Sequence, residues 1–468
     1  PEREYALGNV QRNFLIADYL LYQNDFSKEV FQRDYMLGGI YPGKLLVSGY
    51  PRNSVLLRKE RYQQIREECH LADKQVIVYM PTWRGLMQKK ETDKQLKQLG
   101  GFLNEIDSRL GDGQIFYVKL HPFVGERMDY SGYRHIREFP PQYETYDFLS
   151  GSDVLVTDYS SIMFDYGVTG RRIILFTYDR EEYLNGRGLY LDLDTLELPR
   201  ADTVEELIGE LSGEKKDYPG FHERFCSYDS VNTPKQICEI LLHGQTDETD
   251  HLKIETTGSS NRKKVFLFIN GLKNDTESQR KIDMINSIDA GLYDVYVCMK
   301  VDKVKKDTQL LSDLNKNVSY FSLLYEVNYT RMDYILCKLL LKLGINSRGL
   351  RARVDKVMKR EKRKYFGDVT FDCVIHHSEL DRMVGQLCGE LGRKTVYNFK
   401  YFNYALFQSS RGYRRQVKYF IKRFPCYDLV VAGKEAKKLK LDAKNLFLNE
   451  EVRFPVDTVL KKVVQMDK

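Results

Sequence analysis

The chain has 468 residues, of which 42% are apolar and 30% charged, the proportions of a globular protein with room for two or three domains. Its longest apolar runs fall well short of the ~20 residues that a spanning helix needs, and no signal peptide is visible. The net charge of +7 hides an asymmetry: residues 263–468 carry 41 Lys and Arg against 24 Asp and Glu, or +17, whereas residues 1–262 carry 32 against 42, or −10. Such a split points to two parts with different surfaces. The eight cysteines are scattered without a Cys-x-x-Cys pair, which argues for buried reduced thiols and against a zinc site.

In chain order, Leu45-Leu46-Val47-Ser48 runs into the turn Gly49-Tyr50-Pro51-Arg52-Asn53, with an arginine at its tip. After a helical stretch at 59–71, Val76-Ile77-Val78-Tyr79-Met80 leads to Pro81-Thr82-Trp83-Arg84-Gly85, which holds the only tryptophan. A second helical stretch at 92–110 precedes Ile115-Phe116-Tyr117-Val118, which ends in Lys119-Leu120-His121-Pro122. Val154-Leu155-Val156 then ends in Thr157-Asp158-Tyr159-Ser160-Ser161 and restarts as Ile162-Met163-Phe164-Asp165. Strands near 44–48, 74–80, 114–120, 154–157 and 172–177, alternating with helices, predict a doubly wound parallel sheet. The carboxyl ends of such strands line one crevice. Arg52, Thr82, Trp83, His121, Ser160 and Ser161 are therefore expected to converge.

These residue types suit phosphate chemistry. The first amides of a helix lack internal partners and carry partial positive charge. Ser160 and Ser161 are expected to cap the helix and add hydroxyl donors, with Asp165 one turn deeper on the same face. A histidine at 121 suits the task, because the residue type titrates near neutrality and as imidazolium donates to a phosphate oxygen; the alternative is a strand-end histidine bonded to a carbonyl. Lys119 shares its face and either helps to hold a diphosphate or is a solvated edge lysine. The Arg52 guanidinium suits phosphate oxygens. Thr82 is read as a nucleotide contact, and Trp83 either as a wall for base or ribose or as packing. Arg84 is a phosphate contact or a surface charge.

Residues 246–262 are polar and rich in Gly, Ser and Thr, and are expected to form a linker. From Val265 to Ala432 the β/α alternation resumes, predicting a second Rossmann-like domain over 263–468. Basic runs at 351–360 and 411–418 are either solvated helix faces or a docking surface for anionic lipid or polymer; no nucleic-acid-binding signature accompanies them. His376-His377 reads as a buried pair plus a loop residue rather than a metal site, since no Asp or Cys follows at ligand spacing.

Taken in order, Gly-Tyr-Pro-Arg-Asn at 49–53, Pro-Thr-Trp-Arg at 81–84, Lys-Leu-His-Pro at 119–122 and Thr-Asp-Tyr-Ser-Ser-x-x-x-Asp at 157–165 resemble the CDP-glycerol glycerophosphotransferase family of teichoic acid polymerases. The resemblance covers about residues 1–245, with support from Asn13–Tyr19 and Arg187–Asp192. It implies an α/β fold of GT-B type, two doubly wound Rossmann-like domains, with residues 1–245 as the carboxyl-terminal, nucleotide-binding half. It further implies that CDP-glycerol is bound by Arg52, Thr82, Trp83, Lys119, Leu120, His121, Ser160, Ser161 and Asp165, with His121 catalytic and neither metal nor cofactor needed. The implied reaction transfers glycerol phosphate to a lipid-linked teichoic acid acceptor and releases CMP, at the cytoplasmic face of the membrane.

Two departures qualify the match. The family's catalytic His-Gly-Thr motif lies upstream of these motifs, yet no histidine precedes His70 and the chain opens with Pro1. The chain is thus expected to be a piece of a longer protein, cut after its acceptor-side half. Ser54 also stands where the family often carries an acid. Residues 263–468 resemble, more loosely, the amino-terminal half of a GT-B glycosyltransferase. A nucleotide-sugar glycosyltransferase and a non-catalytic polymer-binding scaffold are the competing readings.

Overall fold

The computed structural model describes residues 10–71, 73–82, 84, 89–121, 127–244, 247–257, 261–300, 308–323, 330–342, 347–441, 443–451 and 453–464. Contacts divide the chain into two compact units. One comprises Leu21–Val30 and Leu45–Glu255; the other takes the residues through Leu20, Phe31–Lys44 and everything from Thr256 onward.

Strands β1 (Tyr19–Tyr22) and β2 (Lys44–Val47) belong to a small three-stranded sheet. The main sheet of the first unit is made of β3 (Gln75–Met80), β4 (Gln114–Val118), β5 (Ile136–Glu138), β6 (Val154–Thr157), β7 (Arg172–Phe176) and β8 (Arg200–Ala201). All its pairs are parallel, in the order β5-β4-β3-β6-β7-β8. Parallel strands covered on both faces need apolar residues at every position. That is why Val76-Ile77-Val78 and Ile173-Ile174-Leu175 are unbroken runs, each residue at most 1% exposed. Each such side chain contributes roughly 1.5–3 kcal/mol by leaving water. One expectation is corrected: the 44–48 strand is not in this sheet. It is only four residues long and bonds along β1 instead, with Ser48 N–H donating to the Tyr22 carbonyl at 3.2 Å.

Helix Val204–Ser212 shows how locally the unit is specified. Thr203 and Glu206 form a reciprocal capping box at its start. At its other end the buried Arg172 guanidinium donates to the carbonyls of Glu210, Leu211 and Gly213 at 2.7–3.0 Å, filling acceptors that a helix terminus leaves open.

Part of the expected linker is a strand, β9 (Lys253–Thr256), the third member of the small sheet. Its alternating Lys253 and Glu255 read as loop residues, but Glu255 pairs with Lys28 at 2.8 Å. The second unit holds seven parallel strands: β10 (Lys263–Phe268), β11 (Tyr293–Lys300), β12 (Val318–Leu323), β13 (Phe371–His376), β14 (Gly392–Phe399), β15 (Leu429–Ala432) and β16 (Leu446–Leu448). Their order is β12-β11-β10-β13-β14-β15-β16. Period-two alternation sends Val396 and Val431 into one core with Leu460, and Tyr397 and Val430 into another with Phe420. The amino-terminal segment is part of this unit: the Thr257 hydroxyl donates to the Tyr41 carbonyl at 2.8 Å, and the Tyr296 hydroxyl to that of Gly38 at 3.4 Å.

His376 and His377 are both buried, and burial pushes each imidazole down to about 3. His376 Nδ1 lies 3.0 Å from the Tyr427 hydroxyl. Among the described residues, no helix is long and apolar enough to cross a membrane.

Candidate functional site

In the first unit the strand order reverses between β3 and β6. Successive connections leave these neighbours toward opposite sides, so a crevice opens beyond their carboxyl ends. The register places Met80 opposite Thr157, and Val118 of β4 opposite Tyr79. Thr82, His121 and Ser160 therefore follow three adjacent strands by two or three residues.

The two loops flanking the reversal are cross-linked through Asp158. Its fully buried carboxylate accepts from the Thr82 backbone at 2.9 Å and from the Thr82 hydroxyl at 2.6 Å. Arg84 pairs with the same carboxylate at 2.7 Å and with Asp179 at 2.6 Å. Its guanidinium lies 4.9 Å from the centroid of Tyr159, whose ring stacks on Tyr183 at 3.9 Å and whose hydroxyl donates to Asp179. Arg84 is accordingly an internal strut, neither a surface charge nor an open phosphate ligand. Thr82 likewise spends its hydroxyl on Asp158.

A second knot positions Arg52. The chain turns at Gly49 with φ +70°, where a Cβ would come within 2.6–2.8 Å of Asp229. Asp229 accepts from Tyr50 N–H at 3.0 Å, Asn53 Nδ2 at 2.9 Å and Gln23 Nε2 at 3.2 Å. Burial pushes its carboxyl up to about 6 despite those three donors. So held, the turn presents Arg52, whose Nη2 donates to both oxygens of Asp165 at 3.1 Å. Tyr146 donates to Asp165 Oδ2 at 2.8 Å, and the Arg52 guanidinium lies 4.3 Å from the Tyr50 ring centroid. Asp165 is 4% exposed and Arg52 49%. Among the described residues, Arg52 Nε and Nη1 make no hydrogen bond, and half of the fork stays open.

The serine turn differs from the expectation of a capped helix. Ser161 occupies the N-cap position of the six-residue helix Ile162–Gly167 but makes no side-chain capping bond. Ser160 Oγ accepts from Ile162 N–H at 3.4 Å. Ser161 itself already has helical dihedrals, φ −62° and ψ −10°. At the end of β4, His121 is exposed at the same edge of the sheet. Lys119 N–H continues the ladder to the Tyr79 carbonyl at 2.9 Å, while its ammonium sits 4.1 Å from the Phe139 ring centroid and is depressed by burial. Leu120 packs against the core below the sheet. Trp83 lies outside the described residues.

The structure thus joins Arg52 to Asp165 and Thr82 to the serine turn, and sets Lys119, Leu120 and His121 on the neighbouring strand end. Sequence reasoning missed Asp229 and Tyr146. Neither sits in a strand-end motif, and only the turn glycine at position 49 gave a signal that something packs there.

These features define a Rossmann-type α/β unit with polar turns gathered at its switch point. Comparison with known proteins names it further. The sequence profile described as CDP-Glycerol:Poly(glycerophosphate) glycerophosphotransferase matches residues 2–243, and the chain belongs to that family. It is 32% identical over 250 residues to the teichoic acid poly(glycerol phosphate) polymerase of Staphylococcus epidermidis, covering 50% of this chain and 34% of that protein. It is 29% identical over 240 residues to the teichoic acid glycerol-phosphate transferase of Staphylococcus aureus, covering 48% and 60%. The solved structure of the wall teichoic acid polymerase TagF aligns at 30% identity with a TM-score of 0.43, covering 52% of this chain and 61% of that one. The chain spans about a third to three-fifths of the length of these relatives.

Proposed function

We propose that this protein transfers glycerol phosphate from CDP-glycerol to the terminal hydroxyl of a lipid-linked poly(glycerol phosphate) chain, releasing CMP. The acceptor oxygen bonds to the distal phosphorus of the diphosphate, and the bond from that phosphorus to the bridging oxygen breaks. Such a step asks the protein for positioning and for neutralisation of developing charge rather than for covalent chemistry. The observation that carries the reading is the half-open guanidinium of Arg52, clamped by Asp165 and Tyr146 beside the switch point of a Rossmann sheet. In this reading residues 1–245 are the nucleotide-binding half. Arg52 and His121 meet the diphosphate, Ser160 and Ser161 add hydroxyls, and Lys119 and Leu120 shape the edge. Asp165, Thr82 and Asp158 hold the frame. Trp83 is assigned the base or ribose wall.

No metal or cofactor is assigned. The basic residues of 263–468 hold the protein at the inner membrane face, where a lipid-linked acceptor is presented. The test is calorimetry with CDP-glycerol, CMP and their uridine counterparts. Preference for cytidine supports the reading; equal binding of uridine nucleotides, or turnover that releases UDP from a nucleotide sugar, replaces it with the glycosyltransferase.

A further inference from the structure

The second unit contains a cavity of about 540 Å³, within the range of small-molecule sites. It lies among helix Arg331–Cys337, the start of helix Arg382–Leu391 that follows β13, and helix Arg411–Ile421. All its lining residues lie outside the family-matched segment 2–243.

Three cations, Lys338, Arg382 and Arg415, border it. Among the described residues, neither Lys338 nor Arg415 has a carboxylate partner. The one acid on the wall, Asp381, is already committed: it pairs with Lys300 at 2.6 Å and caps its helix by accepting from Met383 and Val384 N–H at 3.0 and 3.1 Å. Arg382 lies 4.6 Å from the Tyr419 ring centroid, and burial together with the charge of Arg415 depresses its guanidinium. Lys338 and Arg415 are exposed and Arg382 is half-buried, so the three cations make an open basic mouth that attracts an anion. Of the remaining wall Gln416 is polar, while Tyr334, Cys337, Leu380 and Met383 form an apolar side that reaches the surface at Tyr334, 48% exposed. A free inorganic anion has no use for such a rim, whereas an amphiphile does.

We infer that this cavity binds the phosphate end of a phosphorylated lipid, with the guanidinium forks of Arg382 and Arg415 on the phosphate and the chain running out along helix Arg331–Cys337. The site is separate from the switch point of the first unit and stands whether or not the transfer reaction assigned there is correct.

Gly412 supplies a clean test. It lies on the cavity wall within a helix, and a Cβ added there meets nothing nearer than 4.0 Å. Gly412→Leu therefore fills the cavity while improving helix propensity. The measurement is calorimetry on the full chain with decyl phosphate below its micelle concentration, alongside inorganic phosphate, decanol and UDP. Melting temperatures check the fold. Lys461→Glu, on a helix of the opposite core cluster, controls for net charge. Gly412→Leu and Arg415→Glu are each expected to weaken decyl phosphate binding about tenfold or more, with Lys461→Glu and the binding of decanol unaffected. Decyl phosphate binding that survives both cavity variants overturns the site. Inorganic phosphate or UDP binding as tightly as decyl phosphate, with loss in the same variants, overturns the lipid assignment.

Discussion

Arg52 reaches Asp165 with a single nitrogen, Nη2, which lies 3.1 Å from each carboxylate oxygen. This end-on geometry fixes the guanidinium while leaving two of its nitrogens available, unlike the side-on fork that closes both partners. Arg52→Ala is expected to lower turnover about 10²-fold, the scale for losing one preorganised donor to developing charge. Arg52→Lys should recover little of it, because an ammonium lacks the planar fork that holds Asp165 and a phosphate in one fixed geometry. Asp165→Asn should leave the Arg52 charge in place but unclamped, so it should reduce turnover less than Arg52→Ala. Steady-state kinetics of the three variants check this order, and an Arg52→Lys enzyme with near-normal turnover contradicts it.

For His121 the decisive comparison is turnover against stability. If the imidazole donates to a phosphate oxygen as CMP departs, His121→Ala loses about 10²-fold in turnover while CDP-glycerol affinity falls less. Because His121 is exposed, the melting temperature should stay put. A variant that keeps its activity removes His121 from the mechanism.

Thr82 gives the converse pattern. Its hydroxyl and amide both serve Asp158, and Thr82→Val leaves that buried carboxylate one donor short, costing about 1–3 kcal/mol of stability. Thr82→Ser should restore most of the loss. Urea titration of the pair, with nucleotide absent, reads the effect directly. An unchanged midpoint in Thr82→Val shows that the hydroxyl belongs to ligand binding alone.

Asp229 makes stability depend on pH in an unusual direction. Its folded carboxyl titrates near 6, against 3.8 for the free group. Between those values the folded protein holds a proton that the unfolded chain has released. Its stabilising contribution is therefore complete below about 3.8 and lost as pH rises through 6. Asp229→Asn cannot titrate. The melting temperature of the wild type should accordingly gain on that of Asp229→Asn between pH 7 and pH 5. The buried His376 and His377 act oppositely, losing stability below 6.5, but they do so in both proteins and cancel in the difference. A gap that does not move with pH refutes the raised pKa.

Basic surface supplies the last prediction. Nine Lys and Arg between Arg348 and Lys364 lie on one helix, Arg348–Phe366. The full chain should sediment with anionic vesicles at low salt and be released at high salt, since exposed charges are screened within about 10 Å at 0.1 M. Reversing Arg351, Lys356 and Lys359 to Glu should abolish the sedimentation. Persistent binding of that variant would assign attachment elsewhere.

Legibility in the sequence followed burial. Strands covered on both faces announced themselves as unbroken apolar runs, so β3, β4, β6 and β7 and most of the second sheet were readable. The edge strands β5, β8 and β16 were not, being two or three residues long and short of any period. At the site, strand-end motifs located Arg52, Thr82 and the serine turn because a parallel sheet fixes where its strands end. They could not assign which polar groups face inward. Asp158, Asp165 and Arg84 look like ligands in one dimension and are mutually satisfied braces in three. Asp229 is more than 170 residues from the turn it anchors, a pairing no local pattern encodes.

The grouping of Phe31–Lys44 with the residues from Thr256 onward has a bearing on how the protein is made. Leu37, Ile40 and Tyr41 are each at most 3% exposed in the finished fold, but Thr257 and Tyr296, which bond the Tyr41 and Gly38 carbonyls, leave the ribosome more than 200 positions later. At ~5–20 residues per second, that stretch waits roughly 10 to 40 s in the nascent chain with its apolar side uncovered. Its early strand partners are already in place by then. That interval is when the segment is most open to aggregation or to capture by a chaperone.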